Sequence, residues 1–104
     1  MSGLYASGAA IKVAGISYRQ LDYWVTQGYV DPATFSDVAR GGTGNYRVFD
    51  EDAMRRLRDM GAMASVGMRP ADASALIDAI DSTDRVHIGP FVIERAPADE
   101  RNDR

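Results

Sequence analysis

Apolar positions recur at helical spacing over most of this chain and switch to strand spacing in two places. Ser7 to Ala14 reads as a short helix. Ser7 is its expected N-cap, Ala10, Ile11, Val13 and Ala14 supply apolar surface, and Gly15 stands where a glycine commonly stops a helix. Helical spacing resumes at once. Ser17 and Gln20 have the S-x-x-Q spacing of a capping box, and Ile16 with Leu21 the spacing of a hydrophobic staple. Leu21, Trp24, Val25 and Gly28 follow the i, i+3, i+4, i+7 rule and define an inward stripe. Asp31-Pro32 closes the segment.

Residues 35–49 change character. A glycine-rich core, Arg40-Gly41-Gly42-Thr43-Gly44-Asn45, precedes Tyr46, Val48 and Phe49, which favour strand, so a hairpin with a loose tip is expected. Asp50 then caps a helix whose first turn carries Glu51 and Asp52, where acids suit the helix dipole. Met54, Leu57, Met60 or Gly61, and Ala64 form its buried stripe, and Gly67 ends it. Pro70 opens a further helix with Ala73, Leu76, Ile77 and Ile80 inward. Val86 and Ile88, then Phe91 and Ile93, flank Gly89-Pro90 and predict a second hairpin. Ala96 to Arg104 is polar and charged, the pattern of a disordered tail.

Two helices joined by Gly15-Ile16-Ser17 make a helix-turn-helix, with the second as recognition helix. Its outward stripe is Tyr18, Arg19, Asp22, Tyr23 and Thr26. Arginine can grip guanine or phosphate with two hydrogen bonds, and tyrosine hydroxyls can bond phosphates. Asp22, three residues after Arg19, could hold that guanidinium or accept from a cytosine amino group. The predicted architecture is mainly α with small β, a winged helix-turn-helix over residues 1–80. A C-terminal β-hairpin over 81–95 and a tail over 96–104 follow.

Charge complicates the DNA reading. The net charge is −3, but it is unevenly spread. Through Arg69 eight Lys/Arg stand against seven Asp/Glu; from Pro70 onward four stand against eight. Phosphate attraction must therefore come from where individual arginines sit, since Lys12 is the sole lysine. The absence of cysteine removes disulfides, thiolate metal sites and thiol redox sensing, and fits a reducing cytoplasm. No apolar run approaches the ~20 residues of a membrane span, and no export signal opens the chain, so a cytoplasmic location is expected. His87 stands alone, and the carboxylates fall at caps and in the tail. No nucleophile–base pair or phosphate-cradling loop is recognisable, so neither an enzyme, a metal nor a cofactor is expected.

The ordered set resembles the N-terminal DNA-binding domain of MerR-family regulators. The residues carrying the likeness are Gly15-Ile16-Ser17, Leu21-Asp22-Tyr23-Trp24, and Gly28-Tyr29-Val30-Asp31-Pro32. They continue in Gly44-Asn45-Tyr46-Arg47-Val48-Phe49, then in Leu57, Met60, Met63 and Gly67-Met68, with the helix after Pro70. In the family these positions read as a G-V-S turn, an L-R-Y-Y or L-R-Y-W helix, G-L-x-x-P, and a G-Y-R-x-Y wing. A leucine-spaced helix ending in glycine follows. The string from Tyr18 to Trp24 looks especially like actinobacterial members, and the likeness spans about 5–80. It implies that Arg19, Tyr23 and Arg47 contact phosphates or base edges, with Tyr18 and Asp22 on the same side. Ser17 opens that helix, and Arg40, Thr43, Asn45 and Tyr46 complete the expected DNA-binding set from the wing. Departures are Asp22 for the family's usual arginine, Asn45 for a wing glycine, and a hairpin where a long dimerisation helix would follow.

Blander readings stand beside these. A single surface arginine is ordinarily just solvated, and the cluster Arg55, Arg56 and Arg58 reads first as a wet helix face. Trp24 and the methionines at 54, 60, 63 and 68 read as core. Three functions remain open: a transcription regulator on duplex DNA, an excisionase-like factor that bends DNA, and an interaction module whose tyrosine stripe meets a protein. The expected partners are double-stranded DNA, a second copy as homodimer or cooperative assembly on DNA, and a protein bound through the acidic C-terminal third. No membrane partner is expected.

Overall fold

The computed structural model describes residues 3–39 and 45–97, with the backbone alone at 38, 39, 45 and 46. The elements run β1 (Tyr5–Ala6), α1 (Ser7–Ala14), α2 (Tyr18–Thr26), a 3-10 turn (Pro32–Thr34), β2 (Phe35–Ala39) and β3 (Asn45–Phe49). They continue as α3 (Glu51–Ala64), α4 (Pro70–Thr83), β4 (Arg85–Ile88) and β5 (Phe91–Glu94). This is a winged helix-turn-helix, mainly helical, with a C-terminal hairpin added.

One strand was not legible. Tyr5 and Ala6 pair antiparallel with Phe49 and Val48, so β3 lies between β1 and β2. The first helix consequently starts straight out of a strand. Its N-cap is Ala6, without a side-chain cap, and Ser7 is the first helical residue, not the cap expected for it. The Tyr5 hydroxyl donates to the Glu51 carboxylate, which ties β1 to the first turn of α3. That bond to Glu51, more than Coulomb interaction with the same group, raises the tyrosine's pKa above its ordinary value.

The turn between α1 and α2 uses Gly15 at φ 70°, with the Gly15 and Ile16 amides both donating to the Ile11 carbonyl. The capping box forms in full: Ser17 Oγ accepts from the Gln20 amide at 3.1 Å, and Gln20 Oε1 from the Ser17 amide at 3.0 Å. Leu21 and Trp24 are fully buried, Ile16 and Val25 partly so. Gly28, expected in the same stripe, is exposed instead. It follows the helix at φ 83°, and the Tyr29 amide donates back to Trp24, so this glycine terminates α2 rather than packing.

Trp24, Phe49, Leu21, Leu57, Met60, Ile77 and Val30 are the largest fully buried side chains. Along α3 Met54 and Gly61 are also buried, and Met63, Ala64 and Met68 pack partly against the cluster. Along α4 Ala73, Ile77 and Ile80 face inward as expected, but Leu76 is only half-buried.

The C-terminal hairpin is clamped to the helices. Arg95 donates to Asp59 Oδ2 on α3 at 2.7 Å and to Asp81 Oδ1 on α4 at 2.9 Å. These hydrogen bonds, Asp59 first, hold the guanidinium in its charged form more firmly than usual. Val86 pairs with Ile93, and both are half-buried; the next pair, Ile88 with Phe91, is exposed around the Gly89-Pro90 turn. The tail expected from Ala96 lies outside the described residues from position 98 onward.

Arg56 corrects the bland reading of its cluster. Its Nε donates to the Tyr29 carbonyl at 2.9 Å, Nη2 to Ser74 Oγ at 2.6 Å, and Nη1 to Asp78 Oδ1 at 2.8 Å. One side chain thus joins the segment after α2 to α3 and α4. Charged hydrogen bonds of this kind are worth ~1.5–3 kcal/mol. Arg56→Ala is therefore expected to lower unfolding stability by about 2 kcal/mol, read as a lower urea midpoint with an unchanged slope. A midpoint within error of wild type would make these bonds marginal. Among the described residues Arg55 pairs only with Asp52, one turn earlier, on an exposed face.

Candidate nucleic-acid interface

The exposed face of α2 follows from its buried one. With Leu21 and Trp24 fixed in the core, Tyr18, Arg19, Asp22, Tyr23 and Thr26 are exposed. Tyr18 and Tyr23 are 60% and 51% accessible, high values for side chains so largely apolar. A β-carbon placed on Gly8 would stand 3.5 Å from the Tyr18 hydroxyl oxygen, so this phenol reaches back across α1. The Thr26 hydroxyl donates to the Asp22 carbonyl and is taken up within the helix. Ser17 is exposed, with its hydroxyl engaged in the cap. Among the described residues Arg19 has no ion-pair partner.

The wing comes alongside this face through one arginine. Arg47, on β3, lies opposite Asp37 of β2 in the ladder. Its Nη1 meets Asp22 Oδ1 on α2 at 3.1 Å, and its Nε lies 3.4 Å from Asp37 Oδ1. The second approach is close enough to be ionic but is poorly directed. The Nε–H is buried and has no hydrogen-bond acceptor among the described residues. Arg47 is thus flanked by two acids, with 27% of its side chain accessible against 67% for Asp22. Exposed ion pairs add only ~0–1 kcal/mol to stability, so this contact matters more for orientation than for folding.

Arg47 and Asp22 are therefore brought together. Asp22, however, holds the wing arginine rather than Arg19 three residues earlier. Asp37 belongs to the same cluster and was not expected. Nothing at position 37 signals it, because its role depends on a cross-strand register that the loose tip leaves open in the sequence. Arg40 and Thr43 lie outside the described residues. For Asn45 and Tyr46 only the backbone is described: they pair with Ala39 and Val38 as the wing's outer rungs.

Among the described residues the resulting surface is close to neutral. Among those residues it carries two arginines, 19 and 47, and two acids, 22 and 37, together with the exposed Tyr18 and Tyr23. Such a charge balance gives weak bulk attraction for an anion and leaves directed hydrogen bonding as what these side chains can offer. Elsewhere, a cleft of about 380 Å³ between the segment after α2 and helices α3 and α4 is lined by Asp31, Asp59, Asp78 and Asp81 with Arg55 and Arg56. Among the described residues no group of His, Asp or Glu is arranged to hold a metal, and no helix is long and apolar enough to cross a membrane.

The sequence profile of the MerR HTH family regulatory proteins matches residues 5–80, most of the chain and all of the winged helix-turn-helix. No curated protein matches the chain at a significant level.

Proposed function

The chain belongs to the MerR HTH family of regulatory proteins, a family of DNA-binding transcription regulators, and from that premise we propose that it binds specific duplex sites to regulate transcription. In this reading α2 enters a major groove with its N-terminal half, and the wing lies along the neighbouring backbone. The observation that carries it is the pairing of Arg47 with Asp22. It makes recognition helix and wing one continuous surface, on which Arg19, Tyr18 and Tyr23 are also exposed. Arg19 is assigned to a guanine edge or phosphate, Tyr18 and Tyr23 to phosphates, and Ser17 to the helix start nearest the backbone. Arg40, Thr43, Asn45 and Tyr46 are assigned to the wing's share of the backbone. A cytoplasmic site of action and a role without catalysis or cofactor complete the reading.

Selection from a random duplex library tests it. Recovery of a common sequence is expected, with affinity that falls linearly in log[salt]. For the two to four phosphate contacts this surface can make, the slope should be about −2 to −4. Recovery of no sequence, with no salt-dependent binding, would transfer the tyrosine face to a protein partner.

The hairpin supports contact with a second copy. Ile88, Phe91 and Val92 are exposed on a two-stranded sheet whose edges are open, and Phe91 is 67% accessible. A two-fold pair would present two α2 helices to a palindrome. Phe91→Ser lies outside the packed pair Val86–Ile93 and should leave the fold intact while shifting the solution molar mass from dimer toward monomer. Equal masses for wild type and variant would remove the hairpin from self-association.

A further inference from the structure

Asp22 is an anion exposed in the middle of a face that, on the reading above, meets a polyanion. Its one ionic partner among the described residues, Arg47, is shared with Asp37, so this trio carries a net negative charge. Facing phosphates alone, such a carboxylate would be repelled. It becomes favourable where it meets a hydrogen-bond donor, because an ionised carboxylate only accepts. The major groove offers two donors, the amino groups of cytosine and adenine. Adenine places its N7 acceptor directly beside the amino group, which suits an amide side chain and opposes a carboxylate. Cytosine has no acceptor next to its amino group on the same base edge.

We propose that Asp22 is a specificity-determining residue that accepts from the amino group of a cytosine, and that Arg47 is the positioning residue that aims its carboxylate. The 3.1 Å bond from Arg47 Nη1 engages one carboxylate oxygen, Oδ1, from the wing side and leaves Oδ2 for a base. Asp22 is 67% accessible, so the carboxylate is open to a base from the side away from the wing. Arg19 lies one helical turn earlier on the same face. Its fork matches the two acceptors of a guanine, so the pair of side chains is matched to neighbouring guanine and cytosine edges. This proposal rests on the assignment of α2 to a major groove.

The test compares wild type, Asp22→Ala and Arg47→Met on the selected duplex and on its full set of single-base-pair variants. Wild type should lose about tenfold or more when one particular cytosine is replaced. Asp22→Ala should bring that position within about twofold while keeping the other preferences, and its binding to unrelated duplexes should hold or tighten, because a repelled charge is gone. Arg47→Met should weaken binding overall and also blunt discrimination at the same position. If Asp22→Ala instead weakens every duplex by a common factor and leaves the profile parallel to wild type, Asp22 merely props the wing and the proposal falls alone. If wild type enriches no duplex, the groove assignment falls and takes this proposal with it. Asp22 is exposed, so its variant should fold; thermal melting equal to wild type verifies that before binding is compared.

Discussion

Gly61→Ala is expected to destabilise the protein strongly, although the same change in an ordinary helix interior stabilises by ~0.5–1 kcal/mol. Gly61 is buried in α3, where α1 crosses it. A β-carbon there would stand 2.1 Å from the carbonyl oxygen of Ala14 and 2.9 Å from its carbonyl carbon. Backbone cannot rotate aside as a side chain can, so the two helices must separate. Overpacking costs ~1–3 kcal/mol in typical cores, and this contact belongs at or above the upper end. A loss of about 3 kcal/mol in a domain of this size lowers Tm by roughly 12–20 °C. Truncating Ala14 to glycine should give no rescue, because the clashing atoms are main-chain. DNA affinity should fall as well, since α1 is the platform on which the Gly15 turn aims α2. A Gly61→Ala protein melting at or above the wild-type temperature would mean that α1 and α3 do not approach this closely.

Arg19→Ala is expected to leave Tm unchanged and to weaken binding to the selected duplex by about 2 kcal/mol, roughly 30-fold. The absence of an ion-pair partner among the described residues predicts the first half; the exposed position one turn before Asp22 predicts the second. Arg19→Lys separates charge from geometry. Lysine keeps the positive charge and so should keep the salt slope, but it cannot form the two-pronged contact to guanine and should lose most of the sequence preference. Arg19→Ala should also make the slope about one unit shallower. Full recovery of affinity and preference in the lysine variant would reduce Arg19 to a phosphate contact.

Periodic segments with local stop signals were legible in the sequence, and contacts set by distant register were not. The capping box at Ser17, the α2 stripe through Leu21 and Trp24, the Asp50 cap and the two hairpins depend on residues within a few positions of one another. All of them form. Gly28 misled because a glycine at i+7 satisfies the period as well as an apolar residue would, while its φ of 83° requires it at the helix end. Strand β1 escaped because two residues carry no period at all. Arg56 escaped because an arginine beside two others looks solvated until the Tyr29 carbonyl and Ser74 are brought to it by the chain's return. In the candidate site the direction of α2 was readable and its electrostatics were not. The sequence offered Asp22 two roles, holding Arg19 or accepting from a cytosine, and the fold gives it a partner 25 residues away on the wing, Arg47.

The wing clasp also alters the weight carried by each arginine. Net charge gives this protein little general attraction for DNA, and of the two arginines on this face among the described residues Arg47 is already paired with acids. Affinity should therefore depend on Arg19 to an unusual degree, and specificity on how firmly Arg47 keeps helix and wing in one geometry.

On the proposed function, the Ser17-capped helix and the wing together form the DNA-contacting face. Amide chemical shifts of labelled protein, followed during titration with the selected duplex, test it directly. Shifts are predicted at residues 17–23 and along β2 and β3 near Asp37 and Arg47, with β4 and β5 little changed. Shifts concentrated in the C-terminal hairpin, with residues 17–23 unmoved, would contradict it.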